Sequence, residues 1–400
     1  MQQAAFMKGI KKYYLIFLML TMLCVFNCKK LINTPALAAS NSYLVVTGNI
    51  DPGDTTVLVL SRTVNVSGTV NTKPELNAAV TIEGSQSGSF RLTAEGNGNY
   101  YSAPVNLSPA QTYRLKIVTS SGEQYASDYV PVKNSPAIDS VNYVVKSDGL
   151  QINVNTHDAA NTTRYYRWEY NETYVFHTAF QSNYIVLNHD TTGIRPASHE
   201  IYQCWHSDTS SNIILASSAK LSQDVISSQS IIKIPAGSEK LNKRYTIFVK
   251  QYALTPDAYN YFTLLQKNTE QLGSIFDAQP SELRGNIHSL SNAAEPVIGF
   301  VTIGKTSNQR IFVDNNNLPA WTPDNPYAGC TSDTLLYKRI ITFPTGGGSV
   351  QVEVHDLIYS GVQIPLDKVG DYPSGGFTAA YPQCVDCTLR GTNKQPSFWK

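Results

Sequence analysis

The residues that could do chemistry fall into short, incomplete constellations. His199-Glu200-Ile201-Tyr202-Gln203 opens like a zinc-protease helix but ends in Gln203 where a second imidazole would stand. Two histidines one helical turn apart hold the metal in such sites, so the zinc geometry is missing. His157-Asp158, His189-Asp190 and His355-Asp356 are adjacent pairs. Neighbours on a strand point to opposite faces, so none of these pairs makes a shared site by itself. No Gly-x-Ser-x-Gly elbow is present. Gly346-Gly347-Gly348 lacks the Lys-Ser/Thr of a phosphate loop and reads as a strand turn. Paired carboxylates for glycoside cleavage need only proximity in space, and the sequence nominates no pair. No catalytic residue, metal ligand or cofactor is assigned.

The most suggestive polar cluster is Arg284, Asn286 and His288, within residues 273–288. A ligand-facing loop would use such donors and acceptors. The plainer reading, which we prefer, is that they satisfy backbone groups of their own loop. The 24 tyrosines suit sugar or peptide binding, and suit a sandwich core equally well.

Four cysteines lie beyond the N-terminal region: Cys204, Cys330, Cys384 and Cys387. An even number in an exported chain reads as two disulfides, with three pairings open. The Cys-x-x-Cys at 384–387 lacks the βαβ context of a thioredoxin-like motif and a second close ligand pair for zinc. The expected role of the bridges is to pin the C-terminal tail.

The elements that must position these residues are mostly strands. Tyr113, Leu115 and Ile117 alternate with Arg114 and Lys116, the period of a half-buried strand. About seven such runs within 43–133, separated by turns such as Asp51-Pro52-Gly53-Asp54 and Gly96-Asn97-Gly98-Asn99, predict a β-sandwich of immunoglobulin-like or transthyretin-like outline. Residues 131–136 read as a linker, and 138–400 as a larger β-rich domain. Within it, Tyr166, Trp168, Tyr170, Tyr174 and Phe176 share one face of a strand, with Arg167, Glu169 and Asn171 on the other. Residues 244–252 are apolar on both faces over their middle, as in a central strand. One helix is expected at about 255–272. Thr255 is its N-cap, Pro256 its first residue and Asp257 the acid near its positive end, with Gly273 as stop. The expected class is mainly β, with one prominent helix.

The first residues read as an export signal. Lys8, Lys11 and Lys12 precede an apolar run of fourteen residues, 13–26. That is short of the roughly 20 needed to span a bilayer as a helix. Val25-Phe26-Asn27-Cys28 resembles a relaxed lipobox, which would make residues 1–27 the signal peptide and Cys28 the acylated residue. Ala36-Leu37-Ala38 offers the competing site of ordinary cleavage, and a plain N-terminal anchor helix is the third reading. Acyl chains such as palmitate on Cys28 would anchor stably at about 0.8 kcal/mol per buried CH₂. Residues 28–42 then form a small, polar tether. The 31 basic and 30 acidic side chains of the 400-residue chain nearly balance, which argues against a nucleic-acid partner.

Residues 251–288, the aromatic strand from Arg164, and the tail Cys384-Val385-Asp386-Cys387, Gly391-Thr392-Asn393, Pro396-Ser397-Phe398-Trp399 together resemble the domain-of-unknown-function 4249 family. Relatives often carry two glycines where this chain has Arg390-Gly391. The resemblance implies an outer-membrane lipoprotein from a Gram-negative phylum rich in TonB-dependent transporters, often encoded beside such a receptor. It carries no catalytic or ligand residues over. It supports Cys28 as the lipid site and the other four cysteines as structural. The leading expectation is a non-enzymatic accessory that captures or presents a ligand for a TonB-dependent outer-membrane receptor. An envelope hydrolase assembled only by folding and a structural or adhesive surface protein are the alternatives. Lys29-Lys30 after Cys28 leaves surface-facing and periplasm-facing placements both open.

Overall fold

In the computed structural model, residues 42–64, 73–270, 283–344 and 346–399 are described. Cys28 and the signal region lie outside them, as does Gly273. The chain is mainly β, with two sandwiches in series and a smaller C-terminal layer. Among the described residues no barrel is formed.

The first sandwich follows from period-two burial. Thr112–Val118 alternates partly buried and buried residues along its length, with Tyr113, Leu115 and Ile117 inward. One sheet runs Thr302–Ile303, Leu44–Ile50, Thr56–Arg62, Asn99–Ser102, Thr93–Gly96. The other runs Ile287–Ser289, Gln124–Ser127, Thr112–Val118, Ala79–Gly84, Ser89–Arg91. Each has one further short strand beside it. Leu44, Leu58, Leu60, Val80, Ile82 and Leu115 are fully buried between the sheets. Each such side chain contributes about 1.5–3 kcal/mol relative to exposure. Gly96, Asn97 and Gly98 all take positive φ in the tight turn expected there.

Two strands of that sandwich come from far down the chain. Ile287–Ser289 pairs antiparallel with Gln124–Ser127, and Thr302–Ile303 pairs parallel with Leu44–Ile50. Ile287, Val297, Val301 and Ile303 complete its core. The sequence placed all of 138–400 in one C-terminal domain, whereas this segment returns to the first. The return is held by backbone pairing of very short strands, which leaves little periodic trace.

The second sandwich stacks a three-stranded sheet on a five-stranded one. The first comprises Ile138–Lys146, Gly149–His157 and Val225–Pro235. The second runs Gln203–Thr209, Tyr165–His177, Arg244–Ala253, Ser307–Asp314, with Ile214–Ser217 beside Tyr165–His177. Tyr166, Trp168, Tyr170, Tyr174 and Phe176 face the core as their spacing required. Arg244–Ala253 is central, paired on both sides. Trp168 is fully buried and donates its indole N–H to Gln251 Oε1 at 3.0 Å. Gln251 in turn donates to Ser135 Oγ, the Pro136 carbonyl and Thr156 Oγ1. The stretch expected as a linker is therefore fastened to the second core.

The helix, α1, spans Pro256–Glu270. Thr255 Oγ1 accepts from the Ala258 N–H at 3.2 Å, the N-cap bond its position foretold. Ala258 and Tyr261 are buried, and the helix lies against Tyr165–His177 and Ile214–Ser217.

Both disulfides are formed: Cys204–Cys387 and Cys330–Cys384. The two cysteines of the Cys-x-x-Cys thus have different partners and are not a dithiol pair. The tail continues over the outer face of the five-stranded sheet. Thr392 bridges to Trp205, Trp399 meets Trp205 and Phe312 edge-on, and Phe398 lies against Arg310. The Gly346-Gly347 turn closes the hairpin Arg339–Thr342/Gly348–Gln351, both glycines at positive φ.

Candidate functional site: a cleft between the two sandwiches

The candidate site is a cavity of about 420 Å³ where the first sandwich, the second sandwich and α1 meet. Pockets for small ligands run from about 300 to 1,000 Å³. One wall is the outer face of Leu44–Ile50 with the turn after it. The other is the outer face of Tyr165–His177 and Arg244–Ala253. Helix residues Phe262 and Leu265, with Phe300, supply an apolar floor.

Strand register builds the second wall. Arg167 sits opposite Tyr252, and Glu169 opposite Lys250. The Arg167 guanidinium lies between two rings, 4.4 Å from the Tyr252 centroid and 4.5 Å from that of Phe262. Arg167 donates to Glu169 Oε1 at 2.7 Å, and the Tyr252 hydroxyl donates to Glu169 Oε2 at 2.6 Å. Burial, then the Glu169 charge, hold the Tyr252 phenol well above its usual range. Tyr261 is pushed up to about 12 by burial, against a backbone hydrogen bond from Gly299. Both phenols keep their protons at neutral pH, and the Tyr252 hydroxyl spends its proton on Glu169. The Arg167 Nε–H is buried with no acceptor among the described residues.

The first wall is fixed by Asp51. Its Oδ1 accepts from Gly53 N–H at 2.8 Å, and its Oδ2 accepts from Thr306 N–H and Oγ1–H at 3.0 and 2.6 Å. Backbones approach closely here. Gly299 has φ +141°, and a Cβ on it would fall 2.2 Å from the Val46 carbonyl oxygen.

The sequence-derived candidates lie elsewhere. Arg284 and Asn286 line a neighbouring cavity of about 500 Å³, which shares Tyr261 and Phe300 with the cleft. The Asn286 amide is taken up by backbone: it donates to the Val301 carbonyl and accepts from the Val301 N–H. It clamps the returning segment, the self-satisfying role preferred above. His288 is exposed and meets Asp128 at 3.2 Å. Glu200 Oε1 accepts from the N–H groups of Ile201 and Tyr202, a local turn. His157 bonds Asp139 across the hairpin, not its neighbour Asp158, whereas exposed His355 does meet Asp356. Among the described residues no three His, Cys, Asp or Glu side chains cluster as metal ligands. A third cavity, of about 700 Å³, lies beside Cys330, between residues 175–180 and the loop 323–328. The cleft was missed because its residues come from four separate stretches. The one available signal was Arg167 and Glu169 alternating with a buried aromatic stripe.

Fold and cleft together define a mainly β, disulfide-pinned protein with a solute-sized cavity between two sandwiches. The chain belongs to the family described as Domain of unknown function (DUF4249), whose profile matches residues 32–310. That span includes both cleft walls and the returning segment, and stops short of the Cys-x-x-Cys tail. No curated protein matches the chain.

Proposed function

We propose that this protein is a non-enzymatic binding lipoprotein of the outer membrane, anchored through Cys28, that captures or presents a solute for a TonB-dependent receptor. The observation that carries the binding role is the cleft: a preformed cavity at a domain junction, apolar on its floor and polar on two facing walls. The Arg167–Glu169–Tyr252 set supports it, since internal hydrogen bonds fix those side chains before any ligand arrives. Preorganised walls lower the ordering cost of binding. The anchor and receptor rest on the N-terminal sequence and on the family's expected setting. Affinity capture of the tagged protein from outer membranes in mild detergent, with partners identified by mass spectrometry, tests the reading. Recovery of a TonB-dependent receptor in near-equal amount, with solute uptake lost on deletion, is the expected result. Recovery of the lipoprotein alone, with receptor in the input, overturns the accessory role.

A further inference from the structure

Two opposite charges line the cleft outside any ion pair. Asp54 stands on the turn after Leu44–Ile50, exposed, its Oδ1 accepting the Thr55 N–H at 2.7 Å. Lys250 stands on the other wall, opposite Glu169 in register. Neither forms an ion pair among the described residues. Elsewhere in the cleft the charges are engaged: Glu169 accepts from Arg167 and Tyr252, and Asp51 is saturated by Gly53 and Thr306. The cleft therefore offers one available cation and one available anion, on facing walls, above an apolar floor of Phe262, Leu265 and Phe300.

We propose that the cleft binds a small zwitterion with an apolar body, of the amino-acid or short-peptide class. Its carboxylate meets Lys250, its ammonium meets Asp54, and its side chain lies on Phe262 and Leu265. A plain carboxylate would satisfy Lys250 and face the Asp54 charge unpaired, and a plain amine would do the reverse. An uncharged sugar would use neither. Charge-assisted hydrogen bonds are the strong ones, so a ligand carrying both signs gains twice at this site. The inference rests on the reading of the protein as a binding protein and adds the chemistry of what it binds.

The test is calorimetric titration of the full chain, in detergent, with leucyl-leucine, its N-acetyl form and its C-terminal amide. Leucyl-leucine is expected to bind, and each blocked form to bind about tenfold more weakly or worse. Lys250→Gln should abolish the preference for free peptide over the amide while keeping the preference over the N-acetyl form. Asp54→Asn should do the opposite. Both positions are at the cleft surface, so the variants are expected to fold, and thermal unfolding checks that. The proposal is overturned if leucyl-leucine shows no heat at millimolar concentration, or if all three probes bind equally. Tighter binding of the N-acetyl form also overturns it, in favour of a simple anion. A receptor recovered by affinity capture alongside a peptide-blind cleft would sink only the ligand class. Peptide binding without a receptor would sink only the accessory role.

Discussion

The guanidinium of Arg310 lies 3.8 Å from the centre of the Phe398 ring, and the ring of Phe248 stands 4.8 Å away on its other contact. The chain's last turn thus completes a cation–aromatic stack begun on the central strand of the second sandwich. Trp399 extends the cover to Phe312 and Trp205. Burial holds the Arg310 guanidinium below its usual range, as expected for a cation kept from water by rings rather than by carboxylates. Phe398→Ala should therefore destabilise the fold by about 1–2 kcal/mol, and Phe398→Leu by less only if area rather than the ring's quadrupole matters. Urea unfolding followed by tryptophan fluorescence reads both.

The tail reaches that face because Cys387 is bonded to Cys204 and Cys384 to Cys330. The first bridge closes a separation of 183 residues. Replacing Cys204 and Cys387 together by Ser should cost about 2–5 kcal/mol. The second bridge then still ties Cys384 to Cys330, so the tail should loosen beyond residue 387 first. Hydrogen exchange should show lost protection at Trp205 and Thr392, whose backbones pair directly. Unchanged protection there would mean that Phe398 and Trp399 hold the tail alone.

Gln251 is fully buried and makes four hydrogen bonds, to Trp168, Ser135, Pro136 and Thr156. Gln251→Leu roughly keeps the volume and strands the Trp168 indole N–H, while Ser135 Oγ still donates to the Pro136 carbonyl and Thr156 Oγ1 to the Ala137 carbonyl. A cost of about 1–3 kcal/mol is expected, the usual range for one buried polar group left unpaired. The same change should raise proteolytic nicking near 133–136, the segment the amide fastens. Stability within about 0.5 kcal/mol of the parent would show that water replaces the amide there.

Acid should weaken the second sandwich through Asp158. Burial pushes its carboxyl up, but bonds from the Thr162 side chain and from the Thr162, Thr163 and Ala160 N–H groups outweigh that, leaving it at about 2. A carboxyl held below its unfolded value stabilises the fold above that value and loses the contribution as pH falls through the folded one. The window is about pH 5 down to about pH 2. His157 next to it behaves oppositely. The hydrogen bond to Asp139, then that group's charge, raises the imidazole, so its contribution is present in acid and fades as pH climbs past the folded value. Asp158→Asn should flatten the acid limb of a urea-midpoint profile by lowering its neutral plateau toward the acid value.

Much of this architecture was legible because it rests on local rules. The aromatic stripe from Tyr166 to Phe176 declared its inward face, Thr255 declared the helix start, and an even cysteine count declared two bridges. The return of Ile287–Ser289 and Thr302–Ile303 was not legible, since three-residue and two-residue strands carry no period to read. Asn286 looked like a ligand donor for the same reason that it works as a clamp: its amide copies a backbone N–H and C=O. Arg167 and Glu169 read as an open polar face because alternation shows which side is core, not what later covers the other side. Here α1 does, placing Phe262 on the guanidinium.

That cover makes Arg167 and Glu169 a pair whose members should not be removed singly. Glu169→Leu would leave the Arg167 charge, whose side chain is only 14% exposed, between two rings with no carboxylate, and would orphan the Tyr252 hydroxyl. Arg167→Met keeps the stacked volume and removes the charge. A buried pair broken on one side costs more than a pair replaced by apolar groups of similar size. The double variant should therefore be more stable than Glu169→Leu alone, with a coupling of about 1–2 kcal/mol in a double-mutant cycle. Because Glu169 is 41% exposed, water moderates the single loss and sets the low end of that range. Additive losses would mean that the rings alone hold Arg167, and that the cleft wall does not depend on the carboxylate.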